Sequence, residues 1–220
     1  LAQYGIVVGS HILQINDIKE ERFNPMGVSD KVLAELHAKK FAVMDDAVGE
    51  KMQERILQAK SELNSVGGVI EAIALHLPAG IGAPYFDSVE SMLSHALFSV
   101  PAVKGVEFGD GFGFAGLTGA EANDALHYVD GKVQALTNHN GGVTGGITNG
   151  MPLVVRVAIK PTPSIAREQQ TVSLKEQADT TLAIVGRHDP CIVQRAVPVI
   201  EAVVAWTLWD LLLEAKKWEK

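Results

Sequence analysis

The feature that most limits the fold is a strand with firm stops at both ends, in the stretch NHNGGVTGGITNGMPLVVRVAIKPTPS from Asn138 to Ser164. Val154, Val155, Val157 and Ile159 form a β-branched run around Arg156, the pattern of a strand crossing a core. Gly141, Gly142, Gly145, Gly146 and Gly150 precede it among Asn138, Asn140 and Asn149. Glycine reaches positive φ without strain and leaves room for close approach, so this loop reads as an anion cradle with free N–H groups, or merely as a turn. Lys160-Pro161-Thr162-Pro163-Ser164 ends the strand, because proline cannot donate to a ladder, and leaves an ammonium and two hydroxyls at its mouth.

The rest of the chain can support one large core or two modest ones. It has 220 residues, of which 47% are hydrophobic, an ordinary globular composition. Its net charge of -7, from 19 basic and 26 acidic residues with no basic run, argues against nucleic acid as a partner. An anionic ligand would need local geometry. A single cysteine, Cys191, excludes an internal disulfide framework and zinc spacing, and fits a reducing cytosol. No signal-type leader opens the chain and no apolar stretch is read as reaching membrane-spanning length, so no membrane role is expected.

Leu1-Ala2-Gln3-Tyr4-Gly5 reads as a last helical turn stopped by glycine, so the chain is expected to be an N-terminally truncated single domain over 1–220. A strand follows to Asp17, with Gly9 and Ser10 marking a bulge or tight contact. His11 on it reads as half-buried and without a ligand role. Lys19 to Lys40 reads as a surface excursion with solvated charges and a short helix near Ser29 to Leu36. A helix opened by Asp45 and Asp46 runs to about Asn64. Gly67 to Leu77 is a strand closed by Pro78, with a helix over about 87–100 after it. Because the strand before Pro161 is also glycine-led and also precedes a helix, the order of elements suggests a pseudo-twofold internal repeat. Gly119 to Leu136 reads as a surface loop with a short helix, Ile165 to Asp179 as a hairpin or arm, and Thr180 to Val185 as a strand. Asp110, between glycines, reads as a turn former. From Cys191 to about Lys217 the chain is helical, and Trp206, Trp209 and Trp218 are assigned to core or subunit interface.

A second cluster, Gly186-Arg187-His188-Asp189-Pro190-Cys191, has no simple packing explanation. Asp189, balanced by Arg187, could accept a proton. It could equally cap a helix beginning at Pro190, with Arg187 paired on the surface.

Followed by Arg195-Ala196-Val197-Pro198-Val199-Ile200-Glu201-Ala202, that cluster resembles the C-terminal signature of the chorismate synthase family. The resemblance extends, in the family's order, to Ser65-Val66-Gly67-Gly68, Val103 to Glu107, Asp110-Gly111-Phe112, Asn138 to Gly142, Gly145 to Gly150 and Lys160 to Ser164. It covers the C-terminal two-thirds or so of such an enzyme. The resemblance implies an α+β fold, a sandwich of antiparallel sheets enclosing helices, assembled as a cytoplasmic homotetramer. It implies anti-1,4-elimination of phosphate from 5-enolpyruvylshikimate 3-phosphate to give chorismate, in the shikimate route to aromatic amino acids, with reduced FMN as cofactor although no net redox change occurs. By the same resemblance Pro101, Ala102, Gly145, Lys160, Pro161, Thr162, Pro163, Ser164 and Arg187 would touch FMN, and Asp189 would assist deprotonation near flavin N5; no metal is implied. A cationic and hydroxylic tip suits a phosphate-bearing flavin. The Gly145 loop, the Lys160 tip and Asp189 are then expected to converge in one pocket wall.

The family's Gly-Glu-Ser-His-Gly block, its second histidine block and its Arg-Ser-Ser or Arg-Ala-Ser block do not occur in these residues, and no arginine cluster replaces them. The chain by itself is therefore expected to be weakly active or inactive. Two rivals stand beside that expectation: an inactive scaffold that oligomerises through its tryptophan-bearing helix or only holds flavin, and a general nucleotide- or phosphate-binding module, which lacks a Walker or dinucleotide fingerprint. Whether the reducing equivalents come from NADP through the protein itself is open.

Overall fold

Strands Gly68–Leu75 and Leu153–Ile159 are buried on both faces, and the architecture follows from the need to cover both. The computed structural model describes residues 1–186 and 188–216, with backbone only at Lys132; Arg187 and Trp218 lie outside the described residues. In chain order the larger elements are β1 (Val7–Ile15), β2 (Ile18–Lys19), α1 (Asp30–Ala38), α2 (Asp46–Ser61), β3 (Gly68–Leu75), α3 (Val89–Phe98) and β4 (Val103–Phe108). They continue with β5 (Leu126–Val129), β6 (Lys132–Ala135), β7 (Val143–Thr144), β8 (Ile147–Thr148), β9 (Leu153–Ile159), β10 (Gln169–Ser173), β11 (Ala178–Leu182) and α4 (Val193–Lys216). β2, β1, β3, β9 and β4 form one antiparallel sheet in that order, and the remaining strands form three two-stranded hairpins. The chain is thus α+β with antiparallel sheets.

On one face, Ile12, Ile70, Ala72, Val155 and Val157 pack against Met52 of α2, Leu93 and Leu97 of α3, and Ile200, Val204 and Leu208 of α4. On the other, Ile73, Leu75 and Val154 pack against Leu33 and Leu36 of α1 and against Phe23. Gly9 of β1 is the tight contact, since a Cβ there would lie 2.8 Å from Leu33 Cδ2; the bulge is farther along, between Ile12 and Gln14. Helix starts follow local chemistry. Ser29 caps α1 by accepting from Val32 N, Asp45 caps α2 by accepting from Ala47 and Val48 N, and Ser88 caps α3 by accepting from Ser91 N.

Several expectations are corrected. The region 119–136 holds no short helix but the β5–β6 hairpin, turned by Asp130 and Gly131, both at positive φ, as a two-residue turn of the primed type requires. The strand near Thr180 is not independent: β11 pairs with β10 in an exposed hairpin. α4, at 24 residues, does reach membrane-crossing length and composition. Its Val193, Val197, Ile200, Val204 and Leu208 are nevertheless buried against the protein, so it serves as the core helix. Trp206 is exposed, while Trp209 is half-buried against the core and stacks obliquely on Tyr4.

The largest departure is a row of charge across the covered face opposite α3 and α4. His11, Glu71, Arg156 and Glu107 are direct cross-strand partners on β1, β3, β9 and β4. His11, Glu71 and Arg156 are buried, and Glu107 carries the row toward solvent. His11 lies between Glu20, through Nδ1, and Glu71, 3.1 Å from its Nε2. Arg156 donates to Glu71 at 3.2 Å, to Glu107 at 2.6 Å and to the carbonyl of Gly109. Glu20, expected in solvent, is buried and also accepts from Met44 and Asp45 N; His11, expected half-buried, is fully enclosed. Burial acts against the His11 imidazolium, but the two carboxylates outweigh it and raise the pKa. Burial likewise pushes Glu71 up, but hydrogen bonds from His11, Phe23 N and Arg156 hold it below the usual range.

Candidate functional site

Because β9 is the central strand, its two ends organise the candidate residues into two groups. At its C-terminal end, Lys160 is exposed, and its N–H donates to Ala102 O at 2.9 Å. Ala102 sits at φ 75, a left-handed conformation that turns its carbonyl toward Lys160 as the chain leaves α3 for β4. Pro101 and Ala102 are thereby beside the tip. Pro161 and Pro163 are exposed, Thr162 and Ser164 are half-buried, and Pro163 O accepts from Ile165 N.

The same end receives the Asp189 segment. Ser65 donates its hydroxyl to Thr162 O at 2.6 Å, and Val66 N donates to Pro190 O at 2.8 Å. Ile184 N reaches Ile165 O, and a hollow of about 250 Å³ opens between Asn64, Ile165, Gly186 and His188. Asp189 Oδ2 pairs with Arg195 Nη1 at 3.0 Å and Oδ1 accepts from Cys191 N at 3.4 Å. The expected counter-ion was Arg187; among the described residues the partner is Arg195, in the first turn of α4. The caps considered for Asp189 also change, since α4 begins at Val193 rather than at Pro190.

Gly145 is not brought to this group. It forms the exposed Gly-Gly turn between β7 and β8, and Gly146 O accepts from Val89 N at the start of α3. Seven residues of β9 separate the two ends, on the order of 20 Å at a strand's rise per residue. The expected convergence of Gly145 with Lys160 and Asp189 in one wall is therefore corrected. The glycine loop is also less free than its composition suggests. Asn138, buried, accepts from Gly142 N at 2.7 Å and donates to Pro25 O and Pro152 O, while Asn149 N and Met151 N are bonded inside the loop.

That far end has polar structure of its own that sequence reasoning missed. Asp124 accepts from His139 N, Asn140 N, Asn140 Nδ2 and Thr137 Oγ1 at 2.7, 3.0, 2.8 and 2.9 Å. Burial pushes its carboxyl up, but these four donors hold it below the usual range. Asp110, expected only to form a turn, accepts from or pairs with His139 Nδ1 at 2.6 Å. A hollow of about 750 Å³ lies beside Asp124, lined in part by His76, Asn140, Thr144 and Asn149.

The Lys160 end fits a phosphate-bearing ligand on one observation. Thr162 Oγ1 is buried with no hydrogen-bond partner among the described residues, and a buried hydroxyl left without a partner is costly. Lys160 and Ser164 flank Thr162 two positions to either side in the chain. No group of metal-ligand type occurs among the described residues.

Comparison with known proteins shows the family. A family model described as Chorismate synthase matches residues 1–213. A Chorismate synthase of Thermococcus gammatolerans is 45% identical over 219 residues, covering 100% of this chain and 60% of that protein. One from Thermococcus kodakarensis is 50% identical over 175 residues, 80% of this chain and 49% of that protein. A solved structure titled Crystal Structure of Chorismate Synthase superposes with TM-score 0.77 at 29% identity, over 97% of this chain and 58% of that one. The chain thus spans about 60% of the length of the first of these relatives. By sequence and fold together, the chain belongs to the chorismate synthase family.

Proposed function

We propose that the protein acts as a chorismate synthase, eliminating phosphate from 5-enolpyruvylshikimate 3-phosphate with reduced FMN bound at the Lys160 end of β9. The observation that carries this is the meeting of Lys160–Ser164, Pro101-Ala102 and the Asp189 segment around Ser65 and Val66, with Thr162 Oγ1 unpartnered among them. Lys160 supplies a charge and Thr162 and Ser164 supply hydroxyls, a donor set suited to phosphate. Arg187, outside the described residues, would add a guanidinium. Reduced FMN held there would supply electron density for cleavage of the C–O bond to phosphate, with no net redox change. Asp189, with Oδ2 held by Arg195 and Oδ1 by the Cys191 N–H, would assist deprotonation of the bound flavin. Gly145 would have to meet the other end of an elongated ligand, or one held by another protomer of a homotetramer.

The sandwich of antiparallel sheets enclosing helices, its pseudo-twofold repeat and the cytoplasmic location belong to the same proposal for the whole protein, of which 1–220 is one domain's span. A substrate with one phosphate and two carboxylates needs several counter-charges. At this end Arg195 is already committed to Asp189. The 220 residues alone are accordingly proposed to hold flavin and turn over weakly. The test is phosphate release from 5-enolpyruvylshikimate 3-phosphate under anaerobic reduced FMN. Turnover of the full-length protein that needs reduced flavin and collapses on Asp189→Asn supports the proposal; turnover indifferent to flavin, or none by full-length protein, sinks it.

A further inference from the structure

We propose that Ser65 is a positioning residue for the flavin-binding tip, and that Ser65 and Val66 together fix the spacing between Thr162 and Asp189. The inference rests on the flavin reading above.

The tip cannot hold itself. Prolines at 161 and 163 remove two of its N–H groups, so its backbone must be steadied largely through its carbonyls. The carbonyl of Thr162 is taken by Ser65 Oγ at 2.6 Å, with Ser65 itself only 9% exposed. Fixing that carbonyl fixes the Thr162–Pro163 peptide plane, and with it the position of the Thr162 Cα from which the unpartnered Oγ1 projects. The next residue, Val66, donates to Pro190 O at 2.8 Å, one position beyond Asp189. The hydroxylic tip and the acid are therefore tied to neighbouring residues whose Cα atoms stand about 3.8 Å apart.

The clamp is itself anchored on three sides. Leu63 at φ 56 turns the chain out of α2, and Asn64 N returns to Ala59 O at 2.9 Å. Asn64 Oδ1 accepts from Ser65 N at 2.9 Å, and Gly67 O accepts from Asn16 N at 2.9 Å at the end of β1. Gly67 has no room for a side chain, because a Cβ would collide with Ile159 O and stand 2.9 Å from Pro161 N. The Ser65-Val66-Gly67 run is thus pressed against the root of the tip: a hydroxyl holds one carbonyl, an N–H holds another, and the third position has no Cβ.

Ser65→Ala removes the hold and leaves the volume. FMN titration of the full-length protein is expected to show affinity weakened about three- to tenfold, the effect of one hydrogen bond, with Ser65→Thr restoring most of it. In the flavin-free protein, hydrogen exchange at the bonded Lys160 and Ile165 amides should rise in Ser65→Ala. Ser61→Ala is the control for stability. It removes a comparable hydroxyl bond, to Gln58 O at 2.7 Å, at the end of the same helix without touching the tip, and should leave FMN affinity unchanged. Equal FMN affinity in wild type and Ser65→Ala would overturn the brace while leaving the flavin site standing. Absence of FMN binding by wild type would overturn both. If Ser65→Ala does not fold, Ser65→Gly and the exchange profile of Ser65→Thr decide by the same criteria.

Discussion

Replacing Glu71 by glutamine should expose how much of the sheet depends on its charged row. The carboxylate meets three donors: His11 Nε2 at 3.1 Å and Phe23 N at 2.6 Å on one oxygen, Arg156 Nη1 at 3.2 Å on the other. A glutamine offers one acceptor oxygen and turns an N–H₂ toward a donor, so either the imidazolium or the guanidinium loses its partner while still buried. Removing one member of a buried pair typically costs about 3–5 kcal/mol, and for a chain of this length that corresponds to a melting temperature lower by roughly 10 °C. The pH dependence should change with it. His11, its pKa raised, contributes stability in full below its unfolded value of about 6.5 and loses it as pH rises through the folded value. Glu71, its pKa lowered, contributes above about 4.5 and loses it as pH falls through the folded value. Wild type should therefore show a stability plateau from about pH 4.5 to about pH 6.5, falling on the acid side as Glu71 titrates and on the alkaline side as His11 does. In Glu71→Gln the acid limb due to Glu71 disappears, and the alkaline limb moves down because only Glu20 supports His11. Urea denaturation across pH 4 to 9 reads both effects. A loss under about 1 kcal/mol with an unmoved profile would refute the coupling.

Other consequences are smaller. Leu93→Ala, at a fully buried position of α3, should cost about 2–5 kcal/mol in the same assay. Asp124→Asn, which weakens four accepted hydrogen bonds, should cost about 2 kcal/mol and raise hydrogen exchange across Thr137–Asn140 while Lys160–Ile165 stays unchanged. Cys191, buried and with its thiol pushed up to about 11 by that burial, should resist alkylation at pH 8 until the protein is unfolded.

Much of the architecture could be read along the chain because it is set locally. The β-branched run of β9, the glycine-led β3 and the acid-capped α2 all appear close to where their residues place them. The charged row could not be read, since Glu71 is 85 residues from Arg156 and only the strand register makes them partners; taken singly, His11 and Glu20 look like a strand residue and a surface charge. The β5–β6 hairpin was legible in Asp130-Gly131 and was obscured by the polar composition around it. For the site, the Lys160 tip and Asp189 were legible as chemistry, and their meeting depends on Ser65 and Val66, whose small side chain and N–H carry no signal until the fold assembles. Gly145 misled for a geometric reason: closeness in sequence to β9 says nothing of which end of a seven-residue strand a loop occupies.

Hydrogen exchange of the full-length protein with and without FMN tests most directly where flavin is held. Protection is predicted at residues 160–165, at 64–67 and at 188–191, with residues 123–140 unchanged. Protection confined to the glycine end, with the Lys160 tip exchanging as freely as before, would contradict the account.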